Sequence, residues 1–188
     1  MIEQLRNIAV FNSLSDHSLH EISKHIEYVK HKKGTIIIHA DKIEPRFFIL
    51  EKGIARAYSD GEHQQITFWF GQSGDVLFSF NSYINNSPGY ENVELLANCH
   101  LIQIKLSDLF LLYDRHLEIA NWGRKIAEKE LIATEKRLID RAFKGAAERY
   151  REFLDQSPEL VKSVALKHIA SYLGVTQVTL SRIRAAHK

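Results

Sequence analysis

The chain has 188 residues, 45% of them hydrophobic and 26% charged, with a formal net charge of +2. That length and balance suit a globular protein with one good core or two small ones; no apolar run reaches the length a bilayer requires and no signal-peptide pattern opens the chain, so a cytoplasmic protein with no membrane partner is expected. Cys99 is the single cysteine, which excludes an intramolecular disulfide, a cysteine-rich zinc site or a cysteine-ligated iron–sulfur cluster within one chain and leaves packing as its expected role.

From Phe11, the run Phe-Asn-Ser-Leu-Ser-Asp reads as a loop leading to a short amphipathic helix capped by Ser15 or Asp16, with Leu19, Ile22 and Ile26 on one face. After Gly34 the period changes to short β-rich runs: Thr35 to His39, Arg46 to Leu50, Ile54 to Tyr58 and Gln65 to Phe70. Turn signals at Glu51-Lys52-Gly53, Asp60-Gly61 and Gly71 to Asp75 separate them, and Leu95 to Leu106 resumes the pattern. Strands this short with turns this regular predict a small antiparallel barrel or roll.

From Ser107 to about Asp155 the period is helical, longer than one ordinary globular helix, and two helices are expected. Ala120, Ala127, Leu131, Thr134 and Leu138 fall at the spacing of a coiled-coil seam interrupted by Arg124, which points to a homodimer. The competing reading is a face packed on the barrel, drawing on Ile119, Trp122 and Ile126. Gly145 is a candidate bend, and Ser157-Pro158 is expected to end the helical region.

Charge is unevenly distributed: the residues before Ala120 hold 11 basic and 15 acidic side chains, those after it 14 and 8. Beyond Glu159, Lys162, Lys167, Arg182, Arg184 and Lys188 have no acidic side chain among them, a pattern that suits a polyanion or a solvated tail. The stretch Leu166 to Arg184 has the grammar of a helix-turn-helix. Ile169, Ala170 and Leu173 form the buried side of a first helix, Gly174 supplies a positive φ, and Thr176 caps a second helix anchored by Leu180 and Ile183. Gln177, Val178, Ser181 and Arg182 share the opposite face. Thr176, Gln177, Val178, Thr179, Ser181, Arg182, Arg184 and Lys188 are therefore the candidate DNA-binding residues; an ordinary helical hairpin is the alternative.

The order of roll, long helix and helix-turn-helix resembles the Crp/Fnr transcription regulators over nearly the whole chain. Phe11-Asn-Ser-Leu-Ser is similar to that family's N-terminal helix start, Lys33-Gly34-Thr35-Ile36 and Gly53 to its roll turns, and Gln72-Ser73-Gly74-Asp75 to the turn that opens its ligand cassette. The resemblance implies an α+β fold: an antiparallel β-roll sensor domain over 1–106, a dimerisation helix over 107–139 and a helix-turn-helix DNA-binding domain over 140–188. It further implies a non-enzyme, with double-stranded DNA and a second copy as partners and RNA polymerase as a further candidate.

Two departures bear on function. Cyclic-nucleotide-binding members of the family carry Gly-Glu-Leu after the Gly-Asp turn and Arg-Ser/Thr-Ala farther on, whereas Val76-Leu77-Phe78-Ser79-Phe80 follows Gly74-Asp75 here and Pro88-Gly89-Tyr90-Glu91-Asn92 stands where the arginine is expected. No lysine or arginine occurs between Arg56 and Lys105, while Glu91 and Glu94 repel an anion, so cAMP binding of the ordinary kind is not expected. The family's β-hairpin wing after the recognition helix is also unmatched, so a smaller DNA footprint is expected.

Any ligand is expected between Phe78 to Tyr90 and Trp122 to Ala127, with Phe78, Ser79, Tyr90, Trp122 and Arg124 as candidates; Arg124 also reads as a solvated or dimer-contact residue. The ten histidines form no His-x-His pair, and neither a metal site nor a catalytic constellation is legible. Two functions stand: a dimeric transcription regulator with an unidentified effector, or a cupin-like enzyme or isolated ligand-binding module with a helical assembly tail.

Overall fold

The computed structural model describes residues 2–62 and 64–186; Lys188, a candidate DNA contact, and the histidines at 63 and 187 lie outside the described residues. The chain groups into two compact units, Met1–Ala57 with Phe70–Lys129, and Tyr58–Trp69 with Glu130–Lys188.

The first unit opens with α1 (Ile2–Arg6), a 3-10 turn (Ala9–Phe11) and α2 (Asp16–Ser23). Ser15 is the cap of α2, its hydroxyl accepting the Ser18 amide at 3.3 Å. Ile26, expected on this helix, instead starts β1 (Ile26–His31), because Lys24 and His25 close the helix and the β-formers Ile26, Tyr28 and Val29 pair across a sheet. The strands β2 (Ile36–Ile38), β3 (Arg46–Lys52), β4 (Ala55–Asp60), β5 (Gln65–Gly71) and β6 (Val76–Leu77) follow, then α3 (Phe80–Asn85), β7 (Asn92–Leu95) and β8 (Cys99–Lys105). One sheet has the order β1-β8-β3-β6, the other β2-β7-β4-β5.

The single run expected from Leu95 to Leu106 is thus two strands in different sheets. A bend at Leu96–Asn98 turns the chain between them, held by the Leu96 amide on the Ile54 carbonyl at 2.8 Å and by the Asn98 side chain, which accepts the Lys33 amide at 3.0 Å. Phe47, Phe48, Ile49 and Leu50 of β3 are all buried, so this strand is covered on both faces.

Three helices, where two were expected, follow from Leu106: α4 (Leu106–Arg115), α5 (Leu117–Phe143) and α6 (Ala146–Gln156). The unforeseen break is at His116, whose backbone is extended with φ −132° and ψ 102°. The packed-face reading of α5 holds for its first turns, and farther along the helix apolar side chains stand exposed. Ile119 and Trp122 join the core of the first unit with Phe11, Leu19, Phe47 and Ile104, while Leu131, Leu138 and Phe143 are 69%, 70% and 84% exposed.

In the second unit, α6 is followed by α7 (Pro158–Ser163), α8 (Leu166–Leu173) and α9 (Gln177–Ala185). Ser157-Pro158 ends α6 as expected, but another helix starts at once: proline opens α7 at a first-turn position where its missing N–H has no intrahelical partner to lose. Tyr150, Phe153, Leu160, Val164, Ile169, Leu173 and Leu180 are buried together as the apolar complement of these helices. Gly145 caps α6, and the α5–α6 bend is held by Lys144, whose ammonium lies 2.8 Å from Asp140 and 2.5 Å from Glu152. Those carboxylates raise the Lys144 pKa, and Lys136 and then Lys144 lower that of Asp140.

Candidate nucleic-acid interface

The turn between α8 and α9 follows from two residues. Gly174 adopts φ 68° and ψ 35°, which favours glycine, and its amide returns to the Ser171 carbonyl at 3.1 Å while that of Val175 reaches the Ala170 carbonyl at 3.0 Å. This is a Schellman motif, satisfying carbonyls that the helix end leaves unpaired. Two residues on, Thr176 has extended backbone and its Oγ1 accepts the Thr179 amide at 3.1 Å, starting α9.

Leu180 of α9 is fully buried and Ile183 half-buried, so the helix is held by one face. Gln177, Val178, Ser181 and Arg182 stand exposed on the other, with Val178 62% exposed. Thr176, Thr179 and Arg184 are exposed too, although the Thr179 hydroxyl is engaged with Thr176 Oγ1 at 2.9 Å. Chemically, the face offers an amide able to donate and accept, a methyl-bearing side chain and guanidinium groups, which can read base edges and phosphates.

Residues 28–116 match the family model of the cyclic nucleotide-binding domain. FixK2 from Bradyrhizobium japonicum is similar over 86% of this chain and 83% of its own, at 19% identity and a TM-score of 0.75. This chain has the Crp/Fnr fold. A Crp/Fnr-family structure from Eubacterium rectale aligns over 93% of this chain and 84% of its own, with 18% identity and a TM-score of 0.74. CLP from Xanthomonas campestris, described as a c-di-GMP responsive global regulator, aligns over 90% and 89%, with 13% identity and a TM-score of 0.74. No curated protein matches the sequence.

The candidate ligand residues of the Crp/Fnr roll occupy different settings. Phe78 is half-buried against Phe47, Phe80 and Tyr83, with ring centroids 5.1, 4.5 and 5.2 Å away. Trp122 stacks on Phe11 at 5.6 Å and donates its indole N–H to the Val10 carbonyl at 2.7 Å, which makes it a core residue of the first unit. Phe47 neighbours both Phe78 and Trp122. Ser79 is buried as the cap of α3, its hydroxyl accepting the Ser82 amide at 3.4 Å. Tyr90 is 68% exposed, and Arg124 is exposed, donating to Asn121 and Glu128 of its own helix.

Further aromatic side chains gather beside Phe78: Tyr83 lies 5.2 Å from it and 5.3 Å from Phe110 between ring centroids. The hydroxyls of Tyr83 and Tyr113 are 3.2 Å apart, and burial first, then this hydrogen bond, pushes the Tyr113 pKa far up. A Cβ on Gly123 of α5 would stand 2.3 Å from the Tyr113 hydroxyl, so this glycine is what lets the ring lie against the helix.

Arg56 is the residue that sequence reasoning missed. It is 3% exposed and holds the Glu94 carboxylate through Nε at 2.8 Å and Nη2 at 2.7 Å. Its place on a strand with buried neighbours at Ala55 and Ala57 was the available signal. An anionic ligand reaching Arg56 would have to compete with Glu94.

Proposed function

We propose that the chain is a sequence-specific, dimeric DNA-binding transcription regulator whose roll senses something other than a cyclic nucleotide held by the usual cassette. The observation that carries this reading is the α9 face of Gln177, Val178, Ser181 and Arg182, exposed while Leu180 anchors the helix and Thr176 and Gly174 set its start. Thr179, Arg184 and Lys188 complete the proposed contact set, with Arg182 on a base or a phosphate and Lys188 on phosphate. In this reading 1–106 sense, 107–139 dimerise and 140–188 bind DNA, in a cytoplasmic non-enzyme with RNA polymerase as a further candidate partner.

Support for the dimer comes from the stripe Leu131, Ile132, Leu138, Ile139 and Phe143, exposed along α5 at intervals that a second copy of the helix would cover. For the sensor, support comes from the absence of lysine and arginine between Arg56 and Lys105 and from the engagement of Arg56 by Glu94. The c-di-GMP response described for the Xanthomonas relative is an example of this fold serving a ligand other than cAMP. The proposed effector surface comprises Phe78, Ser79, Tyr90, Trp122 and Arg124.

Fluorescence anisotropy with a random-sequence duplex pool tests the DNA reading. Binding that weakens steeply as salt rises is expected, because displaced phosphate counterions enter the equilibrium. No binding at low salt would overturn the reading.

A further inference from the structure

The last turn of α8 is met by side chains from several places in the second unit. Arg149 of α6 donates through Nη2 to the Leu173 carbonyl at 2.9 Å and through Nη1 to the carbonyl of Lys144, at the end of α5. Arg141 of α5 donates to the neighbouring Tyr172 carbonyl at 3.5 Å. On the other side of the turn, the Ser171 hydroxyl accepts the Thr67 amide at 2.8 Å and donates to the Gln65 carbonyl at 2.8 Å.

Each contact has a distinct physical character. The carbonyls of Tyr172 and Leu173 belong to a helix end and lack intrahelical donors, so guanidinium groups are well suited to them. Arg149 is a rigid planar fork, and two donors of one plane fix the distance between Lys144 and Leu173 as a flexible lysine would not. Its Nε is a buried side-chain polar atom without a partner among the described residues, a desolvation cost tolerated where the two remaining bonds are kept. Gln65 and Thr67 lie two apart on β5, which ends its sheet. The serine hydroxyl therefore takes the place of the strand that an edge otherwise leaves missing.

We propose that this turn is a positioning junction for the recognition helix: Arg149 ties α9 to the end of the long helix, and Ser171 ties it to the β4–β5 hairpin. Gly174 and Val175 then transmit that orientation directly into α9. In the dimer this fixes the distance between two recognition helices, and so the spacer that separates the half-sites on DNA. The proposal rests on the dimeric DNA-binding reading above, but its own content is spacing, not affinity or half-site sequence.

The test uses the full chain and duplexes carrying two copies of the half-site it selects, with the spacer varied one base pair at a time. Wild type is expected to favour one spacer. Ser171→Ala and Arg149→Lys should keep the half-site motif while their preference for that spacer falls roughly fivefold or more, the lower end of coupling between sites. Ser171→Thr keeps the hydroxyl and should retain the wild-type preference. In the free protein, the Thr67 amide should exchange with solvent about tenfold faster in Ser171→Ala and at the wild-type rate in Ser171→Thr. Unchanged spacer preference in both Ser171→Ala and Arg149→Lys overturns the junction and leaves the DNA reading standing; a wild type that selects no motif overturns both.

Discussion

Thr176 Oγ1 accepts the amide of Thr179 at 3.1 Å, and the two threonine hydroxyls are 2.9 Å apart. The start of the candidate recognition helix therefore rests on one side chain. Thr176→Ala should cost about 1 kcal/mol of stability, the usual value of an N-cap, and Thr176→Ser much less. Urea denaturation followed by circular dichroism measures both, and equal midpoints for the alanine variant and wild type would contradict the cap's role.

Leu131 and Leu138 lie seven residues apart on the exposed stripe of α5. Leu131→Glu should give a monomer in sedimentation at micromolar concentration where wild type is a dimer, because two like charges would meet in the seam. A wild type that sediments as a monomer contradicts the seam itself.

Gly53 has φ 125°, and a Cβ there would lie 2.3 Å from the Cys99 sulfur. Gly53→Ala should destabilise by about 1–3 kcal/mol through the backbone conformation and the overlap together. Adding Cys99→Ala should recover only part of this, since the Cys99 Cα and Cβ remain at 3.1 Å and the φ is unchanged. Full recovery in thermal denaturation would mean that the backbone contributes nothing.

Glu118 accepts the Ser15 amide at 2.9 Å and its hydroxyl at 2.5 Å, with the Ser18 hydroxyl as a third donor. The Ser15 and Ser18 hydroxyls, followed by the Ser15 amide, lower its pKa below the ordinary 4.5. A folded pKa below the unfolded one contributes stability above that ordinary value, lost as pH falls through the folded pKa. Glu118→Gln should therefore flatten the acid limb of the stability profile below pH 4.5, read as the thermal midpoint against pH; an unaltered limb would show that other carboxylates carry it.

Calorimetry addresses the roll. Neither cAMP nor cGMP should bind more tightly than millimolar, since Arg56 is already engaged by Glu94 and no lysine or arginine stands between Arg56 and Lys105. Micromolar binding would contradict that part of the account.

The parts of the fold that were legible in sequence are those with local causes. Gly174, Thr176 and the apolar spacing of Ile169, Leu173 and Leu180 lie within a few residues of one another, so the helix-turn-helix could be read directly. β1 could not be read, because its burial does not alternate and its partner β8 lies far along the chain. The same distance hid Arg56, whose partner Glu94 is 38 residues away. α3 was missed because six residues give too short a window for helical periodicity, although Ser79 is a good cap.

The central claim is that Gln177 and its neighbours on α9 read DNA bases. Selection from randomised duplexes with wild type and with Gln177→Ala tests it most directly. Gln177 can pair bidentately with adenine and Val178 can contact a thymine methyl, so wild type should enrich an A·T-rich palindromic site. Gln177→Ala should relax one position in each half-site, at about 1–3 kcal/mol per contact, and leave the remaining positions intact. Identical motifs from the two proteins would contradict base reading by Gln177, and the absence of any enriched motif with wild type would contradict the claim as a whole.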